Sequence, residues 1–152
     1  MNVFIASDHG GFELKQAIQQ IDFSKIVGFD VRFIDCGTNS AESCDYPIFA
    51  KKLVKKLKKC LPFKKEKKQD TFGILICTSG IGMSMVANRY KKIRAGLCRS
   101  AEEAKLTRAH NNANVLCLGA KFTDLQTAVE IIKTFLTTDF EGGRHARRIK
   151  EF

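Results

Sequence analysis

Phe72-Gly73-Ile74-Leu75-Ile76-Cys77-Thr78-Ser79-Gly80-Ile81-Gly82-Met83-Ser84 is the stretch that decides how this chain is read. Its apolar run Ile74-Leu75-Ile76 is too short and too β-branched for a helix, so it predicts a fully buried strand. The residues after it predict a tight loop opening into a helix through Met85, Val86, Ala87 and Asn88. Glycines and hydroxyl residues at such a junction leave backbone N–H groups facing one point, which suits an anion. Cys77 stands at the strand's end beside that point, and a helix N-terminus favours thiolate chemistry. Taken alone, the stretch is equally a glycine turn after a buried cysteine, since short glycine motifs are weak signals.

The chain has 152 residues, which fits one domain over 1–152 with a core of its own. A hydrophobic fraction of 44% and a charged fraction of 28% are those of an ordinary globular protein. No run approaches the roughly 18 apolar residues of a membrane span, and the N-terminus carries no signal-type segment. Six cysteines occur without a C-x-x-C pair, and Cys98 and Cys117 lie in apolar runs. That is the usage of a reducing compartment, so free thiols and a cytoplasmic location are expected. Cysteines and histidines never cluster at ligand spacing, so neither a metal nor a cofactor is expected.

The net charge of +10 raises nucleic acid as a partner, and its location argues against it. Between Lys51 and Lys68 stand ten lysines against one acid, Glu66, which leaves the rest of the chain close to neutral. A lysine run on the outer face of a helix, continuing into a loop, is usually a solvated surface. It lacks the interleaved aromatics and arginines that base readout and strand stacking use.

Outward from the opening stretch, Asn2 to Ser7 reads as a buried strand followed by the loop Asp8-His9-Gly10-Gly11. A helix follows with Leu14, Ala17, Ile18 and Ile21 on one stripe. Val31 to Asp35 is the second strand, and Pro47 starts a helix that turns Phe49, Ala50, Leu53, Val54 and Leu57 inward. Residues 60–70 show no periodicity and read as a lysine-rich loop. The fourth strand is Arg94 to Cys98, and Ser100 with Glu103 makes a capping box for the next helix. Asn114 to Leu118 is the fifth strand. Thr123 with Gln126 makes a second capping box before an amphipathic helix, and a basic C-terminal helix follows Gly142-Gly143. Five strands, each followed by a helix, predict a three-layer, doubly wound, Rossmann-like parallel sheet, with order 2-1-3-4-5 expected. In that order the switch point lies between strands one and three, which brings Asp8-His9-Gly10-Gly11 to the Cys77–Gly82 loop.

Asp8 and His9 there suit a sugar hydroxyl and a phosphate, while Asp8 equally serves as a helix N-cap. His110 sits at a helix end, where a histidine is often a surface residue, yet its titration range suits acid–base work. Arg144, His145 and Arg148 share one side of a helix and suit a phosphate or a solvated face. No dinucleotide fingerprint follows the first strand and no P-loop lysine follows Gly80 and Gly82, which disfavours NAD and ATP.

Five segments then stand in order: Ser7–Lys15 (Ser-Asp-His-Gly-Gly-Phe-Glu-Leu-Lys), Asp45-Tyr46-Pro47, Gly80–Ser84, His110–Leu116 (His-Asn-Asn-Ala-Asn-Val-Leu) and Phe140–His145 (Phe-Glu-Gly-Gly-Arg-His). Together they resemble the type B ribose-5-phosphate isomerases, a family shared with galactose-6-phosphate and allose-6-phosphate isomerases. The resemblance spans nearly the whole chain, with the lysine-rich 60–70 segment as an insertion.

It implies metal-free aldose–ketose isomerisation of ribose 5-phosphate through a cis-enediolate, in the pentose phosphate pathway. Cys77 takes the place of the base that moves a proton between C2 and C1. A second branch of the family carries a glutamate where this chain has Met83. Backbone N–H groups of the 78–82 loop (Thr78, Ser79, Gly80, Ile81, Gly82) would stabilise the enediolate oxygen. Ser79 would stand near O1 and O2, His110 would open the furanose, and Asp8 would hold the sugar. His9, Arg144 and Arg148 would take the phosphate, Asn111 a hydroxyl, and Tyr46 would wall the site.

Two positions depart from the family pattern: Thr78, commonly glycine, and Lys121, often a phosphate-binding arginine. The first is expected to restrict the loop and the second to weaken phosphate affinity. The resemblance also implies a homodimer with a shared site, possibly a tetramer. The rival readings are an isomerase of a six-carbon sugar phosphate, a non-catalytic anion or nucleic-acid binder, and an inactive paralogue.

Overall fold

The computed structural model describes residues 1–61 and 70–152, so most of the lysine-rich 60–70 segment lies outside the described residues. In chain order the elements are β1 (Asn2–Ser7), α1 (Phe12–Gln19), α2 (Phe23–Val27), β2 (Arg32–Asp35), α3 (Tyr46–Cys60), β3 (Thr71–Cys77), α4 (Ile81–Ala87), β4 (Ala95–Leu97), α5 (Ala101–Asn111), β5 (Val115–Gly119), α6 (Leu125–Thr137) and α7 (Gly143–Arg148). The opening stretch is β3 running into α4, as its residues dictate, and every residue of β3 is buried.

All strand pairings are parallel, and the order is β2-β1-β3-β5-β4. The doubly wound class is therefore as expected, with the last two strands exchanged. Burial explains the exchange. Val115–Gly119 is buried throughout and has to be covered on both faces, whereas the three-residue Ala95-Gly96-Leu97 is only half-buried and suits an edge.

Right-handed crossovers place each helix on a face set by the direction of travel across the sheet. The steps β1→β2 and β4→β5 run one way, and β2→β3 and β3→β4 the other. So α1, α2 and α5 share one face, where each packs against α6, and α3 packs against α4 on the other.

The strand alternation sorts the core the same way. Val3, Ile5, Phe72, Ile74 and Ile76 face the α1/α6 side, where Phe72 meets Phe135 edge-on at 5.7 Å. Phe4, Ala6, Leu75 and Cys77 face α3 and α4. Burying each large side chain of β3 contributes about 1.5–3 kcal/mol.

Local signals differ in two places. Phe23–Val27 forms a short helix closed by Gly28 in the left-handed conformation, at φ 79°, ahead of the second strand. The cap of α6 is Asp124, whose Oδ1 accepts from the Thr127 N–H at 2.8 Å, so the expected Thr123–Gln126 box is displaced by one residue. A carboxylate outcompetes a hydroxyl for that N–H, and Thr123 turns inward instead. The Ser100–Glu103 cap forms, with the Glu103 N–H donating to Ser100 Oγ at 3.2 Å. All six cysteines are free. Among the described residues no helix is long and apolar enough to cross a membrane.

Candidate active site

Two polar centres lie at opposite ends of the sheet. The first is built at the carboxyl ends of β1, β3 and β5. Asp8 leaves β1 buried and caps the turn that follows, its Oδ1 accepting from the Gly11 N–H at 3.1 Å. Burial raises its pKa above the usual carboxylate range, against the opposing pull of that N–H. The cap is thus real. His9 is exposed, and the Cys44 N–H donates to its Nδ1 at 3.1 Å. The Cys44 carbonyl oxygen lies 3.2 Å from the same Nδ1, so the backbone of Cys44 holds this side of the ring and Nε2 is turned away from it.

The loop carrying Cys44 is anchored at its other end by Lys15. This lysine is wholly buried on α1, and its Nζ donates to Asp35 Oδ2 at 2.6 Å and to the Thr38 carbonyl at 2.7 Å.

Cys77 ends β3 at 5% exposure, with the Gly80 N–H donating to its Sγ at 3.1 Å. Gly80 has φ 76°, and a Cβ there would lie 2.9 Å from the Leu118 carbonyl carbon, so the loop can close over the thiol only with glycine at this position. Thr78 fits this loop without a left-handed backbone. Among the described non-glycine residues only Lys92 and Asn112 take positive φ, and the threonine hydroxyl fits because Gly10 opposite has no side chain. Ser79 Oγ accepts from the Ile81 N–H at 3.4 Å. After β5, the Ala120 N–H donates to the Cys77 carbonyl at 2.9 Å and the Lys121 N–H to the Thr78 carbonyl at 3.0 Å.

Lys121 thereby lines one cavity of about 510 Å³ with His9, Thr78 and Thr123. Thr123 Oγ1 is buried in the protein without a hydrogen-bond partner. Tyr46 packs its ring on Gly82, where a Cβ would lie 2.6 Å away, and so walls the loop beside Ile81. Met83 is fully buried among the apolar residues facing α3.

The second centre lies at the C-terminus of α5, which ends in Asn112 in the left-handed conformation, at φ 47°. His110 stacks on His145 of α7 with ring centroids 4.1 Å apart and planes 7° apart. Glu141 Oε2 lies 3.7 Å from Nε2 of each ring. Burial, then the neighbouring His110 and Arg144, lower the His145 pKa. Asn111, Arg144 and Arg148 are exposed here, the two arginines one helical turn apart.

These residues do not meet Cys77 within one chain. α5 delivers the chain to the amino end of β5, where Val115 pairs with Gly73, while Cys77 pairs with Gly119 at the carboxyl end. The four-residue step between them is about 13 Å of strand.

The structure brings Asp8, His9, Cys77, Thr78, Ser79, Gly80, Ile81, Gly82, Tyr46 and Lys121 around one loop system. Sequence reasoning missed Cys44 as the partner of the His9 ring, Lys15 as the anchor of that loop, and the grouping of Glu141 with two histidines. The inward lysine was visible beside Leu14 and Ile18 on the apolar stripe of α1. His110, Glu141 and His145 place one side-chain N or O atom each within 4.8 Å of one another, a grouping that the spacing of cysteines and histidines along the sequence did not show. They are separated by 31 and 4 positions, and only the α5–α7 packing joins them.

The family model described as Ribose/Galactose Isomerase matches residues 3–152. Ribose-5-phosphate isomerase B of Escherichia coli is 36% identical over 143 residues, covering 94% of this chain and 88% of that protein. Among solved structures, ribose-5-phosphate isomerase B of Clostridium thermocellum superposes with a TM-score of 0.85 at 41% identity, covering 99% of this chain and 94% of that one. The Thermotoga maritima enzyme gives 0.83 at 45% identity, covering 99% and 95%.

Proposed function

The chain belongs to the ribose/galactose isomerase family, and on that footing we propose that it interconverts ribose 5-phosphate and ribulose 5-phosphate. The observation that carries the reading is Cys77 at the end of β3, closed over by the Gly80 N–H and facing the loop of Asp8 and His9.

Cys77, as thiolate, removes the proton from C2 of the open-chain aldose. The C1 carbonyl becomes an enediolate oxygen held by N–H groups of the 78–82 loop. The thiol then returns the proton to C1 while the O2 proton passes to O1, leaving the ketose. Met83 is apolar and fully buried, so no second base competes at that turn. Ser79 contacts O1 and O2, and Asp8 holds the sugar. His9 and Lys121 meet the phosphate from one side of the cavity. No metal enters the reaction.

His110 protonates the ring oxygen to open the furanose, with Asn111 on a hydroxyl and Arg144 and Arg148 on the phosphate. Within one chain these stand at the far end of the sheet, so the complete site is formed by two copies, each supplying one pole to the other. The exposed apolar side chains of Tyr46, Ile48, Ile81 and Met85 beside the Cys77 loop supply a surface for that pairing.

A coupled assay on ribose 5-phosphate tests the reading. Cys77→Ala should lose about 10⁴-fold or more in kcat and still bind substrate, and EDTA should leave the wild-type rate unchanged. An active Cys77→Ala enzyme removes the thiol base. Faster turnover of allose or galactose 6-phosphate would move the assignment to a six-carbon substrate.

A further inference from the structure

Arg108 stands on α5 two residues before His110, and positions two apart on a helix point about 200° away from one another. His110 therefore turns outward at the second centre, while Arg108 turns into the domain and is only 5% exposed. Its guanidinium carbon lies 4.9 Å from the centre of the Phe72 ring and 5.7 Å from that of Phe135. Burial, then the neighbouring Arg94, lower its pKa to about 10, against the pull of Asp139, which leaves it a cation at neutral pH. A buried guanidinium is tolerated only where its N–H groups find acceptors.

The acceptors come from two separate stretches of chain. Nη1 donates to Asn112 Oδ1 at 3.0 Å and to the Ala113 carbonyl at 2.5 Å, both at the end of α5. Nε donates to the Thr138 carbonyl at 3.3 Å, where the chain leaves α6. Three residues further on, the Glu141 N–H donates to the Ala109 carbonyl at 3.1 Å. The tail is thus fixed to the last turn of α5 at two points, one of them the Arg108 side chain. Every group of the second centre belongs to one of these stretches: His110 and Asn111 to α5, and Glu141, Arg144, His145 and Arg148 to the tail. A planar guanidinium, with Nε and Nη1 at a fixed angle, holds both stretches at once, whereas an ammonium is a single point of charge.

We propose that Arg108 is the positioning residue of the amino-end centre. Its fork sets the exit of α6 in register with the last turn of α5, which brings the His145 ring onto His110 and carries Arg144 and Arg148 to the same place. The ring stack and the Glu141 carboxylate then hold the side chains that the backbone has placed. The inference rests on the functional reading above, in which His110 opens the furanose and the two arginines take the phosphate of a site completed by a second copy. Arg108 acts through those groups and meets no reacting atom itself.

Arg108→Lys keeps the cation and loses the fork. Asn112→Gly keeps the arginine, removes one acceptor and suits the left-handed backbone there, so it serves as the gentler second variant. Thermal melts confirm that each is folded. On ribose 5-phosphate, Arg108→Lys should raise KM and lower kcat, each about tenfold, with Asn112→Gly in the same direction by less. On a four-carbon aldose phosphate esterified at O4, which cannot close a furanose ring, KM should rise alike while kcat stays near that of the wild type. Equal losses of kcat on both substrates would overturn the proposal, and so would wild-type kinetics on both.

Co-refolding supplies a readout that general destabilisation does not mimic. Mixed with Cys77→Ala, Arg108→Lys should recover toward about a quarter of the wild-type rate, because one site of each mixed dimer joins an intact thiol to an intact amino-end centre. Mixed with His110→Ala it should gain nothing. The reverse pattern would place the damage at the thiol and overturn the proposal. A mixture of Cys77→Ala with His110→Ala, run alongside, separates the two ideas: if it stays inactive the shared site falls, and Arg108 is then judged on the two substrates alone.

Discussion

The two ends of the sheet differ in how their side chains are held. At the carboxyl end, Cys77 and Asp8 are buried, each receives a backbone N–H, and each directly follows a central strand. At the amino end, His110, Asn111, Arg144 and Arg148 stand on helix termini, exposed or half-exposed, and their order comes from a ring stack and one carboxylate. The first arrangement suits proton transfer between fixed atoms, where small displacements cost rate. The second suits groups that must reach across a surface and admit a substrate. On the proposed reading, two copies would each lend one pole to the other.

The strongest way to break that comparison is to separate the poles by mutation. Cys77→Ala and His110→Ala should each be inactive as pure proteins, while co-refolded mixtures regain activity. A mixed dimer then holds one site with both wild-type groups. Random pairing should restore about a quarter of the wild-type rate, and no recovery places both residues in one chain's site.

A smaller effect sharpens the division of labour. His110→Asn should lower kcat on ribose 5-phosphate by roughly 10²-fold. It should do far less to a four-carbon aldose phosphate esterified at O4, which cannot close a furanose ring. Equal losses on both substrates would assign His110 to the proton transfer itself.

Next comes the cost of burying Asp8. Its pKa is raised in the folded protein, so its contribution to stability is present at low pH and is lost as pH rises through the folded value. Asp8→Asn should therefore melt roughly 1–3 °C higher than wild type at pH 7, with the difference vanishing below about pH 4, while kcat/KM falls. A variant less stable at pH 7 would mean that the carboxylate is held by more than the Gly11 N–H.

The mildest change is Lys121→Arg. A guanidinium adds a second, aligned donor at the cavity wall, and KM should fall about two- to fivefold, the worth of one hydrogen bond of about 1 kcal/mol.

Sequence reading found the fold class because its signals are local. β3 shows itself as an apolar run ended by a glycine loop, and α3 as an amphipathic stripe behind Pro47. The exchange of β4 and β5 was harder to see, since strand order depends on which strand needs covering on both faces. The contrast between half-buried Ala95-Gly96-Leu97 and buried Val115–Gly119 held that information. At the site, residues on loops after strands were placed by topology alone. The stack of His110 on His145 was not, because it depends on how α7 settles against α5 and on two glycines with positive φ. How Thr78 fits was hidden for a similar reason: the room for its hydroxyl comes from Gly10, 68 positions earlier.

Lys15 gives the molecule a property that neither pole shows by itself. The segment from Thr38 to Cys44 is fastened like a strap, with its buckle at the buried ammonium and its free end resting on the His9 ring. Whatever slackens the buckle is felt at the tip, where the backbone of Cys44 holds the His9 ring. The setting of a surface ring is thus tied to a cation inside the domain, and drift in that interior contact would surface as a turned His9 ring before it surfaced as a change in the sheet.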